Sequence, residues 1–206
     1  MISYIFLIGR PGSGKSVVYR LMETELAKKK ITCSRVDDFL TLKEIVDADT
    51  EFKKHVKKDG GFAITDWSVL DEALSKLNGK LKELKKPNHI IFIEFARDNY
   101  EKAMKNFEKD LLLESLIFYT YCPYEECYRR NIERFKKAQK SGHDDHIVPM
   151  QLMETYYRHD DFENAYLENP DKLKKMAEAE IIVIDSNVPG SKDPLPQIEK
   201  IAANKF

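Results

Sequence analysis

The sequence predicts an α/β fold: a parallel sheet covered on both faces by helices. Two observations predict it. Short apolar runs alternate with longer stretches of helical periodicity, the order of a wound parallel sheet. Most of those runs are apolar on both faces, as strands buried on two sides must be. Size and composition set the scale. At 206 residues, 42% hydrophobic and 33% charged, the chain can bury one core and suits a single domain spanning 1–206.

The elements follow in order. Strands are expected over Ser3–Ile8, Thr32–Val36, His89–Phe95, Leu116–Tyr121 and Ile181–Asp185, all rich in Ile, Val, Phe or Tyr. Helices are expected over Lys15–Lys30, Trp67–Leu84, Asn99–Leu112, Tyr124–Lys137 and Met150–Leu167. The first places Val18, Leu21, Met22 and Leu26 on one face. The second repeats Trp67, Leu70, Leu74, Leu77, Leu81 and Leu84 at intervals of three and four. About fifty residues separate the second strand from the third, and an insertion of that length in a compact α/β chain usually carries a binding element. The polar stretch Ala138–Pro149 fits a mobile surface loop.

Charge and cysteine usage exclude several classes. Lys+Arg is 34 against Asp+Glu 35, a net charge of -1, which argues against a nucleic-acid partner. No apolar run approaches the roughly 18 residues that cross a bilayer, so no membrane association is expected. The N-terminal apolar stretch has no basic residues before it, unlike a signal peptide. Cys33, Cys122 and Cys127 therefore read as reduced thiols in a cytoplasmic protein.

One motif carries specific chemistry. Residues 9–16 read Gly9-Arg10-Pro11-Gly12-Ser13-Gly14-Lys15-Ser16, the pattern G-x-x-x-x-G-K-S. Backbone amides must curl around a phosphate, and glycine permits the dihedrals this needs. The helix that follows offers its N-terminal amides to an anion. Gly9, Gly12, Ser13, Gly14, Lys15, Ser16 and Val17 would form the nucleotide cradle. Lys15 would meet the β- and γ-phosphates, and Ser16 would offer its hydroxyl to Mg²⁺. An apolar strand before the motif and an amphipathic helix after it supply the required context.

With these residues the chain resembles the P-loop small-molecule kinases, the group containing adenylate and other nucleoside monophosphate kinases. The resemblance extends over most of the chain in element order and is specific at residues 9–16. It implies a three-layer α/β/α P-loop NTPase fold with a five-stranded parallel sheet. It further implies an acceptor-binding insertion over 38–88 and a helical lid over 124–150. ATP is the implied donor and Mg²⁺ its companion, with a small molecule as phosphate acceptor.

Three further groups are candidates. Glu94 ends an apolar strand, and in open parallel sheets the ligand lies beyond the carboxyl ends of strands. It could face Mg²⁺ through water or take a proton from an acceptor hydroxyl. Arg97 could hold an acceptor phosphate or carboxylate by a two-pronged contact. Adenylate kinases carry an Asp-Gly-Phe-Pro-Arg run here; in this chain the acid is Glu94, the glycine and proline are absent, and the spacing to the arginine is one residue shorter. Asp37 and Asp38 end the second strand, where related kinases use an acid to orient the acceptor. Asp38 lies further past the strand and is favoured for acceptor binding. Either Glu94 or Asp38 could be the base.

Arg129, Arg130 and Arg134 fall within six residues, in a chain of eight arginines and twenty-six lysines. The planar guanidinium suits a transferring phosphoryl group. Arg130 and Arg134 share a helix face, and Arg129 is turned away by about 100°. The resemblance implies that such arginines stabilise charge on the γ-phosphoryl group.

Other features read as structural or stay open. His143 and His146 with Asp144 or Asp145 fit a solvated loop tip better than a metal site. Cys122 and Cys127 lack metal or redox spacing. Phe39, Phe52, Phe62 and Trp67 could stack on a base or pack in a core. Asp185–Gly190 could pass an adenine ring or form a plain turn.

Two other functions compete with a small-molecule kinase. A regulatory nucleotide switch of the Ras kind would need an Asn-Lys-x-Asp run, which is absent. A kinase acting on nucleic-acid ends, an aminoglycoside or a nucleotide sugar could use Lys28–Lys30 and Lys85–Lys86 as a phosphate track, although these lysines also suit helix C-termini.

Overall fold

In a computed structural model of the chain, residues 2–58, 61–141, 148–186 and 194–206 are described. Five parallel strands form one sheet: β1 (Tyr4–Ile8), β2 (Thr32–Asp37), β5 (His89–Phe95), β6 (Ser115–Tyr121) and β7 (Glu180–Asp185), in the order β2-β5-β1-β6-β7. β1 is central, with Phe6 registered on Ile93 of β5 and on Ile117 of β6.

Alternation along β1 builds the two faces. Tyr4, Phe6 and Ile8 point into one buried cluster with Leu74, Phe107 and Phe162. Ile5 and Leu7 point into the opposite cluster with Val18, Met22 and Ile198. All five residues of β1 are buried, which is why the run carries no charged side chain. The first cluster is covered by α3 (Ser68–Leu84), α4 (Tyr100–Met104), α5 (Lys109–Leu113) and α8 (Asp161–Glu168). The second is covered by α1 (Lys15–Lys28) and α10 (Leu195–Lys205).

Several elements differ from expectation. The insertion contains α2 (Phe39–Ala48) and an antiparallel hairpin, β3 (His55–Lys58) with β4 (Gly61–Ile64), neither of which was anticipated. The hairpin reads poorly because Lys57 and Lys58 interrupt an apolar pattern. The helix expected over Asn99–Leu112 is two short ones, α4 and α5. Asn78 on α3 accepts from the Glu108 amide at 3.1 Å, holding the chain open between them. The helix expected over Met150–Leu167 is also two, α7 (Met150–Thr155) and α8, with α9 (Pro170–Leu173) after them. Asp160 interrupts it, accepting from the Glu163 amide at 2.9 Å as an N-cap. Helix α10 went unread because it opens on Leu195-Pro196, although proline suits the first turn. Strand β2 is partly exposed, as its place at the sheet edge dictates.

Helix α6 (Tyr124–Ser141) follows β6 and carries the arginine cluster. Residues 142–147, with His143, Asp144, Asp145 and His146, lie outside the described residues, as do 187–190. Among the described residues no helix is long and apolar enough to cross a membrane.

Candidate functional site

The site forms where the carboxyl ends of β1, β5 and β2 meet, beside the central strand. Chain leaves β1 through Gly9-Arg10-Pro11-Gly12-Ser13-Gly14 and enters α1 at Lys15. Gly12 and Gly14 adopt φ of +87° and +98°, where a side chain is strained. At Gly12 a Cβ would also stand 2.7 Å from the Cys127 carbonyl oxygen of α6, so glycine lets the loop pack on that helix. The Gly9 amide donates to Tyr100 Oη at 3.0 Å. The Ser13 hydroxyl is buried without a hydrogen-bond partner, a polar group in the loop that a phosphate oxygen would satisfy.

Lys15 folds back over the loop. Its Nζ donates to the carbonyls of Gly9 at 2.8 Å and Arg10 at 3.0 Å. Glu94 Oε1 lies 3.9 Å away. Burial lowers the Lys15 pKa, offset in part by Glu94. The ammonium is thus held dry at the mouth of an amide-lined loop. Ser16 follows on the first turn of α1, and Val17 is exposed beside it.

Glu94 stands between two cations. Besides Lys15, Arg35 of β2 approaches with Nη2 2.6 Å from Oε2. Arg35 also donates to Ser16 Oγ at 3.4 Å and lies over the Tyr19 ring at 5.6 Å. Asp38 lies past β2, and Arg97 Nη2 donates to its Oδ2 at 2.5 Å. Asp37 caps its own turn, accepting from the Phe39 amide at 3.1 Å. Arg97 is buried, and its Nη2 and Nη1 also donate to the carbonyls of Leu70 and Ala96. Protein groups therefore hold most of its fork, and Nε alone has no partner. A cavity of about 290 Å³ opens beside Arg97, walled by Trp67, Asp98 and Tyr156 among others. Trp67 stacks on Tyr156 with ring centroids 4.8 Å apart, and Phe39 stacks on Phe62 at 6.3 Å. Trp67, Phe39 and Phe52 are exposed, so core packing does not account for them.

Helix α6 closes the loop from the other side. Arg130 donates to the Gly12 carbonyl at 3.3 Å, to the Ser186 carbonyl at 3.0 Å and to Glu126 at 2.8 Å. Arg134 is close enough to Lys15 for its charge to lower that pKa. Arg129 faces away, bound to Glu126 and Glu133. Ser186 bridges from the end of β7, its hydroxyl donating to the carbonyls of Ser13 and Tyr121. The expected site residues Lys15, Ser16, Glu94 and Arg130 thus gather around one loop, with Asp38 and Arg97 forming a second pair.

Sequence reading missed two residues. Arg10 occupies a variable position of the motif, yet is almost fully buried. Its Nε donates to the Tyr157 carbonyl at 2.7 Å, and its Nη2 donates to the Arg158 carbonyl at 3.1 Å and meets Glu163 at 2.6 Å. Nη1 stands 3.8 Å from Asp160 Oδ2. Burial raises the Asp160 pKa to about 7 even though Arg10 opposes it. The other missed residue is Arg35, which a strand interior gave no reason to single out.

Among the described residues no three or more His, Cys, Asp or Glu side chains gather as a metal cage. The lysine runs are partly neutralised: Lys28 pairs with Glu25 at 2.6 Å and Lys85 with Glu114 at 2.5 Å.

No family profile and no curated protein sequence matches the chain. Solved structures do. The APS kinase CysC of Mycobacterium tuberculosis, solved with AMPPNP and APS, superposes with a TM-score of 0.52 at 16% identity, covering 98% of this chain and 96% of that one. Shikimate kinase from Acinetobacter baumannii, solved with shikimate, gives 0.50 at 12% identity, covering 100% and 96%. The protein APE1195 gives 0.56 at 15% identity, covering 98% and 93%. The chain has the fold of P-loop kinases, with their five-stranded all-parallel sheet flanked by helices.

Proposed function

We propose that the protein is an ATP-dependent phosphotransferase that moves the γ-phosphoryl group of Mg-ATP to a small acceptor, a nucleotide or nucleoside among the candidates. The observation that carries this reading is the posture of Lys15. A desolvated ammonium rests on two loop carbonyls, 2.8 and 3.0 Å away, at the mouth of a glycine-bent amide cradle. A phosphate arriving there would exchange weak dipolar partners for full negative charge, which is favourable in a dry site.

The remaining roles follow from position. Amides of Gly9, Gly12, Ser13, Gly14, Lys15, Ser16 and Val17 would line the triphosphate. The Ser16 hydroxyl and the Glu94 carboxylate are oxygen donors that fit Mg²⁺. When bound, the ion would neutralise charge on the β- and γ-phosphates. Arg130 and Arg134 would spread their positive charge over the transferring group. Asp38, held at 2.5 Å by Arg97, which lines the cavity, would orient the acceptor hydroxyl. Glu94, 3.9 Å from Lys15, belongs to the phosphate side. The shared fold of neighbours solved with a nucleotide analogue or with a small acceptor supports this reading, whereas fold alone does not select the acceptor.

The test is ADP release from ATP and Mg²⁺ in the presence of nucleosides, nucleotides, sugars and small hydroxy acids. One acceptor class should raise ADP release well above the rate without acceptor and yield a phosphorylated product by mass spectrometry. Slow hydrolysis that no acceptor accelerates would favour a regulatory nucleotide switch. Acceleration by oligonucleotide ends, sensitive to salt, would favour a nucleic-acid end kinase.

A further inference from the structure

The residue that most needs an explanation is Arg35. It projects from an edge strand into the phosphate side of the site, and its guanidinium spans the two groups that fit a divalent cation. Nη1 donates to Ser16 Oγ at 3.4 Å and Nη2 lies 2.6 Å from Glu94 Oε2. The second contact is close but poorly aligned: Glu94 Oε2 makes no hydrogen bond despite being buried. A misaligned pair leaves lone pairs that a small, hard cation could use better. Arg35 is not locked in by burial: its side chain is about one-third exposed, and besides Ser16 and Glu94 it leans on the Tyr19 ring, 5.6 Å from its guanidinium carbon.

We propose that Arg35 holds the cation position in the resting protein and competes with the divalent ion for Ser16 and Glu94. This rests on the phosphotransferase reading above. Binding of a metal–nucleotide then requires the guanidinium to leave Ser16 and Glu94, with its charge still near the site. Arg35 is accordingly a positioning residue that sets how much divalent ion the protein needs. Two effects act in the same direction: the guanidinium fills the seat, and its positive charge repels the ion. Without divalent ion the sign reverses, because Arg35 then supplies positive charge to the nucleotide.

The experiment compares wild type with Arg35→Gln and Arg35→Lys, after circular dichroism has shown that each variant folds. Mn²⁺ binding is followed by electron paramagnetic resonance in the presence of AMPPNP. AMPPNP binding is measured separately by calorimetry in EDTA. If the seat is free about one-tenth of the time, Arg35→Gln should bind Mn²⁺ roughly tenfold more tightly, since apparent affinity scales with the competent fraction. Its AMPPNP affinity in EDTA should fall. Arg35→Lys, which keeps the charge but loses the fork, should lie between the two. Equal Mn²⁺ affinity in wild type and Arg35→Gln, with wild type binding Mn-AMPPNP normally, would overturn the competition and leave the kinase reading standing. Failure of wild type to bind AMPPNP at all would overturn both.

Discussion

Replacing Arg10 with methionine tests how the phosphate loop is held. The guanidinium is buried against Glu163 at 2.6 Å and Asp160 at 3.8 Å, and it satisfies the carbonyls of Tyr157 and Arg158. Methionine keeps most of the volume and removes the charge. Breaking a buried pair from one side typically costs about 3–5 kcal/mol, because the remaining carboxylates lose their partner. The cost should depend on pH, and the sign follows from Asp160. Its pKa is raised from 3.8 to about 7 by burial. A raised pKa contributes stability that is fully present below the unfolded value and is lost as pH rises through 7. At pH 5 Asp160 is protonated in both proteins. At pH 8 wild type holds it ionised beside Arg10, and the variant cannot. The penalty at pH 8 should therefore exceed that at pH 5 by up to about 1.4 kcal/mol, because wild type gains from ionising Asp160 only over the one pH unit above 7. Urea unfolding of both proteins at the two pH values measures it. Adding Asp160→Asn to Arg10→Met should remove most of this pH difference. A penalty independent of pH, or one larger at pH 5, would refute the assignment of Asp160 as Arg10's titrating partner.

Other outcomes follow from the same geometry. Gly12→Ala should lose about 1–2 kcal/mol from the left-handed backbone alone, and more from the 2.7 Å approach to the Cys127 carbonyl, visible as a lowered Tm and weakened nucleotide binding. Lys15→Ala should fold normally by circular dichroism and lose roughly 10²–10³-fold in phosphoryl transfer. Transfer at the wild-type rate would exclude the proposed site. Arg130→Ala should lower kcat by more than it weakens nucleotide affinity, measured by steady-state kinetics beside calorimetry. A defect confined to affinity would mean that its contact with the Gly12 carbonyl, not charge on the reacting group, is what matters.

What was legible in the sequence was local. The phosphate loop could be read because its curvature demands glycine at fixed offsets, and Gly12 and Gly14 do take positive φ. The sheet strands could be read because burial on both faces leaves runs such as Tyr4–Ile8 without a charged residue. The rest depended on contacts far along the chain. Arg10 finds the Tyr157 carbonyl 147 positions further on, and nothing near residue 10 announces it. The break before α8 has the same origin, since the Tyr157 and Arg158 carbonyls must stay outside a helix to receive Arg10. Arg35 shows the same limit within the site: its partners Ser16 and Glu94 belong to two other elements. The hairpin β3–β4 escaped notice for a different reason, its lysines masking a short strand.

Calorimetric titration of the wild-type protein with AMPPNP in excess Mg²⁺, repeated on Lys15→Ala, addresses the central claim most directly. The account predicts one saturable site in the wild type and strongly weakened or lost binding in the variant. Absence of heat from wild type, or equal affinity in the two proteins, would contradict it.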